Sequence, residues 1–307
     1  TKDTMIDRRK LVFIGIFSLI LFIIYKNWLT YPEIIGGDWP YVFSDVLKDL
    51  SFPPSSWASW QGNGLGGINP VYFLQLYQNF TVSIAYYLGI PWPIIYKIFW
   101  FGAFILISTF SSIYLIKKMI SDLSADKALI AGLIFTTNTY ILMVVGGGQM
   151  GVALAYSVAP LVLVRFIKLI DNLSSQSYNF KFHPEQSRRT NFKLSIMAGL
   201  VLAVQVMFDP RIAYLSMIAV AIYAVLSMTY YVVSIRSIKK NIFNTLYLIL
   251  YTFTIPIGIA VLLHSYWIFP LLVTRTLPIP EGFVSVSGFE FFSFADFSHA
   301  ISLLHPN

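Results

Sequence analysis

Cysteine is absent from all 307 residues. Disulfides and thiolate metal sites are thereby excluded, and nothing follows about redox compartment. Charge is scarce as well. Asp, Glu, Lys and Arg make up 11% of the chain, where a soluble domain carries roughly 25%. A chain this poor in charge takes lipid as its main solvent. The net charge of +7 does not make a nucleic-acid surface, because the basic residues are scattered among short loops. No internal repeat is present. The one linker-like stretch, 172–190, is rich in Ser, Asn and Gln and is expected as a mobile loop.

Apolar side chains are what the sequence has in excess. They form 57% of it, with a mean hydropathy of +0.70. They gather in runs of about 18 residues or more, the length that crosses a bilayer as a helix. Seven runs are expected as spans: 11–28, 94–116, 128–145, 152–170, 194–208, 212–235 and 242–273. The first follows Arg8-Arg9-Lys10 and is too long and too aromatic for a signal peptide. Pro160 predicts a kink in the fourth. The third turns at Gly146-Gly147-Gly148, and Pro256 and Pro270 interrupt the seventh.

Orientation follows from the basic residues. With the N-terminus in the cytoplasm, the inner segments hold Lys2, Arg8, Arg9 and Lys10, then Lys117, Lys118 and Lys127. They also hold Arg165, Lys168, Lys181, Arg188, Arg189 and Lys193, and finally Arg236, Lys239 and Lys240. Only Lys26, Lys48, Lys97, Arg211 and Arg275 remain outside, a strong positive-inside bias. The expected fold is an all-α polytopic transmembrane bundle with a cytoplasmic N-terminus. Residues 1–273 form the bundle, including a long outer loop over 29–91. Residues 274–307 are expected to open a further outer loop that continues in a longer native chain.

The outer loop carries the most informative string, Gly36-Gly37-Asp38-Trp39-Pro40. Gly36 and Gly37 permit close backbone approach to a ligand, and Pro40 stiffens the exit. Read plainly, the string is a turn with Asp38 capping a helix that begins near Pro40. Val42, Val46, Leu47 and Leu50 recur at helical spacing, so an amphipathic surface helix is expected over 40–50, and another over 70–88. Between them lies the turn-rich run Gln61-Gly62-Asn63-Gly64-Leu65-Gly66-Gly67-Ile68-Asn69-Pro70.

This arrangement resembles a known superfamily. The matching features are an N-in first span, a long outer loop with Gly-Asp near its start, and a Trp…Gly-x-Gly-x-x-Asn-Pro run into the second span. Asp209-Pro210-Arg211 lies on another outer turn, and His264-Ser265-Tyr266-Trp267-Ile268-Phe269-Pro270 ends the seventh span. Together they look like the GT-C superfamily of polytopic glycosyltransferases, which use polyprenyl-phosphate-linked sugars. In that superfamily the first outer loop carries an essential acid, which maps onto Asp38. A second acid often stands near the first; here Trp39 and Pro40 follow directly, a departure from a metal-binding acidic pair. A divalent metal is therefore one option for a cofactor and not a requirement.

The resemblance implies a chemistry that each candidate residue can be set against. An acceptor hydroxyl loses its proton as it attacks, and a carboxylate can assist as general base. A departing phosphate needs cations or backbone N–H groups. Asp38 suits the first role. Arg211 and Arg275 are the candidate phosphate binders, since Arg holds phosphate bidentately. The plain alternatives are a salt bridge from Arg211 to Asp209, and an interfacial anchor at Arg275. His264 is a costly polar group at membrane depth, either near the donor phosphate or bonded to a neighbouring helix. Asp209, Glu281, Glu290 and Asp296 are candidate secondary acids, or simply solvated loop acids. Gly146-Gly147-Gly148-Gln149-Met150-Gly151 is a close-approach loop or a tight hairpin. Trp57, Trp60, Trp92 and Trp100 could stack on sugars or form an interfacial belt. Asn79-Phe80-Thr81 is a glycosylation sequon. The partners implied are the lipid bilayer, a polyprenyl-phosphate-linked sugar, and a glycan, lipid or protein acceptor. Two other classes fit less of the pattern: a non-catalytic assembly or anchoring protein, and a secondary transporter, which would place acids within its spans.

Overall fold

The computed structural model describes residues 8–32, 38, 42, 44, 47–51, 57–58, 67–68, 72–178, 184–234 and 250–274. The helices are α1 (Arg8–Thr30), α2 (Tyr72–Leu88), α3 (Trp92–Met119), α4 (Ala125–Thr137) and α5 (Thr139–Gly146). They continue as α6 (Met150–Tyr178), α7 (Pro184–Phe208), α8 (Pro210–Ser234), α9 (Leu250–Leu263) and α10 (Ser265–Thr274). Five helices are long and apolar enough to cross a membrane: Val12–Thr30, Trp92–Met119, Met150–Leu173, Arg189–Phe208 and Pro210–Ser227. Two broken pairs, α4 with α5 and α9 with α10, pass the same test together, which makes up to seven spans. The chain is thus a helical, multi-pass membrane protein, and the described residues of the apolar runs fall on these helices or pairs, with 235 and 242–249 outside the described residues.

Two compact units can be described. The first comprises Thr1–Ser55 and Val71–Ser265. Its centre is α6, which packs against α3, α7 and α8 and buries Leu154, Val158, Val162, Phe166 and Leu169. At the rim, α1 leaves Val12, Phe13, Ile14, Leu19 and Phe22 exposed, a surface suited to acyl chains. In lipid there is no hydrophobic drive between helices, so small-residue packing and interhelical hydrogen bonds hold them. Both are present. A Cβ at Gly199 on α7 would lie 2.9 Å from Ile259 Cβ and from the Pro256 carbonyl on α9, so glycine sets that crossing. Ser111 on α3 donates to the Ser157 carbonyl on α6 at 2.6 Å, and Ser108 donates to Thr136 on α4 at 3.0 Å. Tyr25 on α1 packs edge-on against Phe101 and Phe104 of α3.

The second unit comprises Ser56–Pro70 and Tyr266–Asn307. Within it, strands β1 (Trp57–Ala58) and β2 (Gly67–Ile68) pair antiparallel, Trp57 opposite Ile68. The residues between these two short strands lie outside the described residues, and the described chain is otherwise helical, as the all-α reading expects.

Two further differences have physical causes. The third span is not one helix: α4 and α5 meet at a 42° bend. Asn138, in extended conformation, sits at the break. Its Oδ1 accepts from the Ile141 N–H at 3.1 Å, and its Nδ2 donates to the Phe135 carbonyl and to Tyr156 Oη, both at 2.9 Å. One amide thus replaces backbone bonds lost on both sides of the break, as a low-dielectric interior requires. The 172–190 stretch is mostly helical, since α6 runs on to Tyr178 and α7 begins at Pro184. Helix extension costs little once a nucleus exists, and Asn172 donates to Asn191 across the pair at 2.6 Å. At Pro160, α6 continues as helix. A helix is present where the second surface helix is expected, as α2; of the first, residues 47–50 form turns, and most of the remainder lies outside the described residues.

Candidate functional site

Three chain segments meet at one end of the first unit. The first carries Asp38. Its backbone N–H donates to the Gly147 carbonyl at 2.9 Å, and its Oδ2 accepts from Gln149 Nε2 at 3.2 Å. The Asp38 side chain is exposed. Among the described residues, no cation bonds to it; the partner is a neutral amide.

The second segment is the turn between α5 and α6. Gly146 ends α5, and Gly148 adopts φ 79°, a left-handed conformation that glycine takes without steric penalty. The Gly147 and Gly148 N–H groups close the end of α5 onto Met143 and Val145 carbonyls. The reversal at Gly148 presents the Gly147 carbonyl and the Gln149 side chain to Asp38. Gly151 then starts the first turn of α6. A Cβ there would lie 2.9 Å from the Phe208 carbonyl and 3.3 Å from Leu74 of α2. Close backbone approach at this glycine thus brings the turn against the third segment.

That third segment is the turn between α7 and α8. Asp209 is its N-cap: Oδ1 accepts from the Arg211 N–H at 2.8 Å and from the Ile212 N–H at 3.4 Å, with Pro210 at the first helical position. The same carboxylate pairs with the Arg211 guanidinium, at 2.7 Å from Nη2 and 3.2 Å from Nε. Asp209 is 2% exposed and Arg211 is 76% exposed, so the acid is an anchor and the cation faces outward. Arg211 Nη1 has no partner among the described residues, and an open cavity of about 440 Å³ beside it is lined by Pro210, Arg211, Tyr214 and Leu215. The plain alternative for Arg211, the local salt bridge to Asp209, is present, and the guanidinium is largely exposed.

The other candidates have different partners or lie outside the described residues. His264 is buried, and its Nε2 donates to the Ala203 carbonyl on α7 at 2.8 Å. It ties the end of α9 to α7, which is the plain alternative for that residue. Trp92 and Trp100 are core side chains, with Trp100 Nε1 donating to Thr81 at 3.2 Å; neither is a sugar platform. Asn79 is 4% exposed and lies within α2, so the sequon is closed to modification in the folded chain. Trp60, Arg275, Glu281, Glu290 and Asp296 lie outside the described residues, as does the side chain of Trp57. No three His, Asp or Glu side chains converge on a metal position among the described residues.

Sequence reasoning passed over Gln149. The signal is the polar side chain in a run of glycines between two apolar helices; read as a close-approach loop or a tight hairpin, that run gave no role to the Gln149 side chain. Comparison with protein-family models, with curated proteins and with solved structures gives no match for this chain.

Proposed function

We propose that this chain belongs to a membrane glycosyltransferase that moves a sugar from a polyprenyl-phosphate donor to an extracytoplasmic glycan, lipid or protein acceptor. The N-terminus lies in the cytoplasm, and the site lies on the outer face of the plasma membrane. The observation that carries this reading is the convergence just described. Asp38 is docked on the α5–α6 turn, and that turn abuts the segment that displays Arg211.

The chemistry assigns each group a task. An acceptor hydroxyl attacks the anomeric carbon as its proton passes to the Asp38 carboxylate. The bond from the anomeric carbon to the donor phosphate oxygen breaks, and the phosphate leaves on its lipid. Arg211 neutralises the phosphate from its outward face, and the apolar walls of Tyr214 and Leu215 take the first part of the lipid tail. Asp209 stays buried and keeps the guanidinium in place.

The test is transfer of radiolabelled polyprenyl-phosphate hexoses and pentoses by purified full-length protein, with membrane extract as acceptor. Asp38→Asn keeps the shape and removes the basicity. General-base contributions are typically about 10²–10⁴-fold, and a loss of that size is expected. Near-normal transfer by this variant would remove Asp38 from the mechanism. A second reading, a non-catalytic anchoring protein, draws on the exposure of Asp38 and on the self-satisfied Asp209–Arg211 pair. It expects no transfer by the wild-type protein with any donor.

A further inference from the structure

We infer that Gln149 is the positioning residue for Asp38, and that it selects Oδ1 as the proton-accepting oxygen. The inference rests on the reading of Asp38 as general base and adds a residue and an atom to it.

A surface carboxylate on a loop is a poor base unless its geometry is fixed. An unrestrained Asp turns about two side-chain bonds, and misplacement of a catalytic group by about 1 Å can cost 10²-fold. Asp38 carries two restraints from the same turn. The bond from its N–H to the Gly147 carbonyl fixes the backbone. The bond from Gln149 Nε2 to Oδ2 fixes the side chain. The two anchor points stand two residues apart, on either side of Gly148, and the positive φ of that glycine sets their spacing. Oδ1 has no protein partner among the described residues, so it is the oxygen left for an acceptor hydroxyl. The donor is a neutral amide, which orients the carboxylate without pairing it to a cation.

The experiment is a double-mutant cycle on the same transfer assay, with full-length protein in lipid nanodiscs. Gln149→Ala should lower kcat by about 10- to 100-fold and leave KM for the donor within about twofold. In an Asp38→Asn background the same substitution should have almost no further effect, because a residue that acts through another loses its influence once that other is disabled. Gln149→Glu keeps the length, removes the donor and places a like charge beside Oδ2, so it should not rescue. Gln149 is exposed, and each variant is checked for an unchanged thermal transition. Near-normal kcat in Gln149→Ala overturns the inference, as does an equal extra loss in the Asp38→Asn background. In both cases a large Asp38→Asn effect leaves the wider reading standing. Near-normal transfer by Asp38→Asn alone sinks the wider reading and this inference together.

Discussion

Gly148 determines whether Asp38 has anything to rest on. Its φ of 79° costs an L-residue about 1–2 kcal/mol. Gly148→Ala should therefore lower the thermal midpoint in detergent and also weaken transfer, because the turn relaxes away from Asp38. Gly151→Ala is expected to be worse for packing, since its Cβ would meet the Phe208 carbonyl at 2.9 Å, backbone that has little room to give. Asp209 acts on two levels at once. Its loss removes an N-cap, worth about 0.5–2 kcal/mol, and frees Arg211. Asp209→Ala should lower stability by that amount and raise KM for the donor more than it lowers kcat. An unchanged KM would separate Arg211 from donor binding.

At the scale of elements, hydrogen-bonded side chains mark the places where helices break. Asn138 bonds to both sides of the α4–α5 bend, and its replacement by Ala leaves the buried Ile141 N–H without its partner, while the Phe135 carbonyl keeps Tyr156 Oη. A cost of about 1–3 kcal/mol is expected, read as a lower unfolding midpoint. His264→Leu removes the bond to Ala203 and should cost less, about 0.6–1.7 kcal/mol. Gly199→Ala should push α7 and α9 apart at a cost of about 1–3 kcal/mol. The apolar runs were legible in the sequence because lipid permits little else: hydropathy alone points to the five long helices and to the two bent pairs. The break at Asn138 was only half legible. Thr136-Thr137-Asn138-Thr139 carries a cap signal, but an uninterrupted apolar average across it hides the bend. The helical ends of 172–190 were misread because polarity was taken for looseness, whereas a helix that leaves the membrane can continue in water.

For the whole molecule, the distribution of basic residues makes a direct prediction of sidedness. The chain has no native cysteine, so single cysteines report without background. Ser55→Cys and Ser285→Cys should react with impermeant reagents in sealed cells, and Ser177→Cys should not. Labelling at 177 alone would invert the orientation and place Asp38 in the cytoplasm. The candidate site was legible in part. Asp38 and Arg211 were chosen for rarity and for their flanking residues, which are properties of a string. That Asp38 would find Gly147 and Gln149 could not be read, because no local pattern links residues 111 positions apart.

That separation also bears on how the protein is made. At about 5–20 residues per second, roughly 5–20 s pass between synthesis of Asp38 and synthesis of Gln149. During that interval the acid is already past the first helix, with its docking turn not yet in existence. The nascent chain must wait for α6 before the site can close, so assembly of this end of the bundle is ordered by translation. A photo-crosslinker at position 38 should capture translocation machinery or chaperones in chains arrested before residue 149. Those adducts should fade once the α5–α6 turn has emerged, and slowing elongation with synonymous rare codons between α1 and α6 should prolong them.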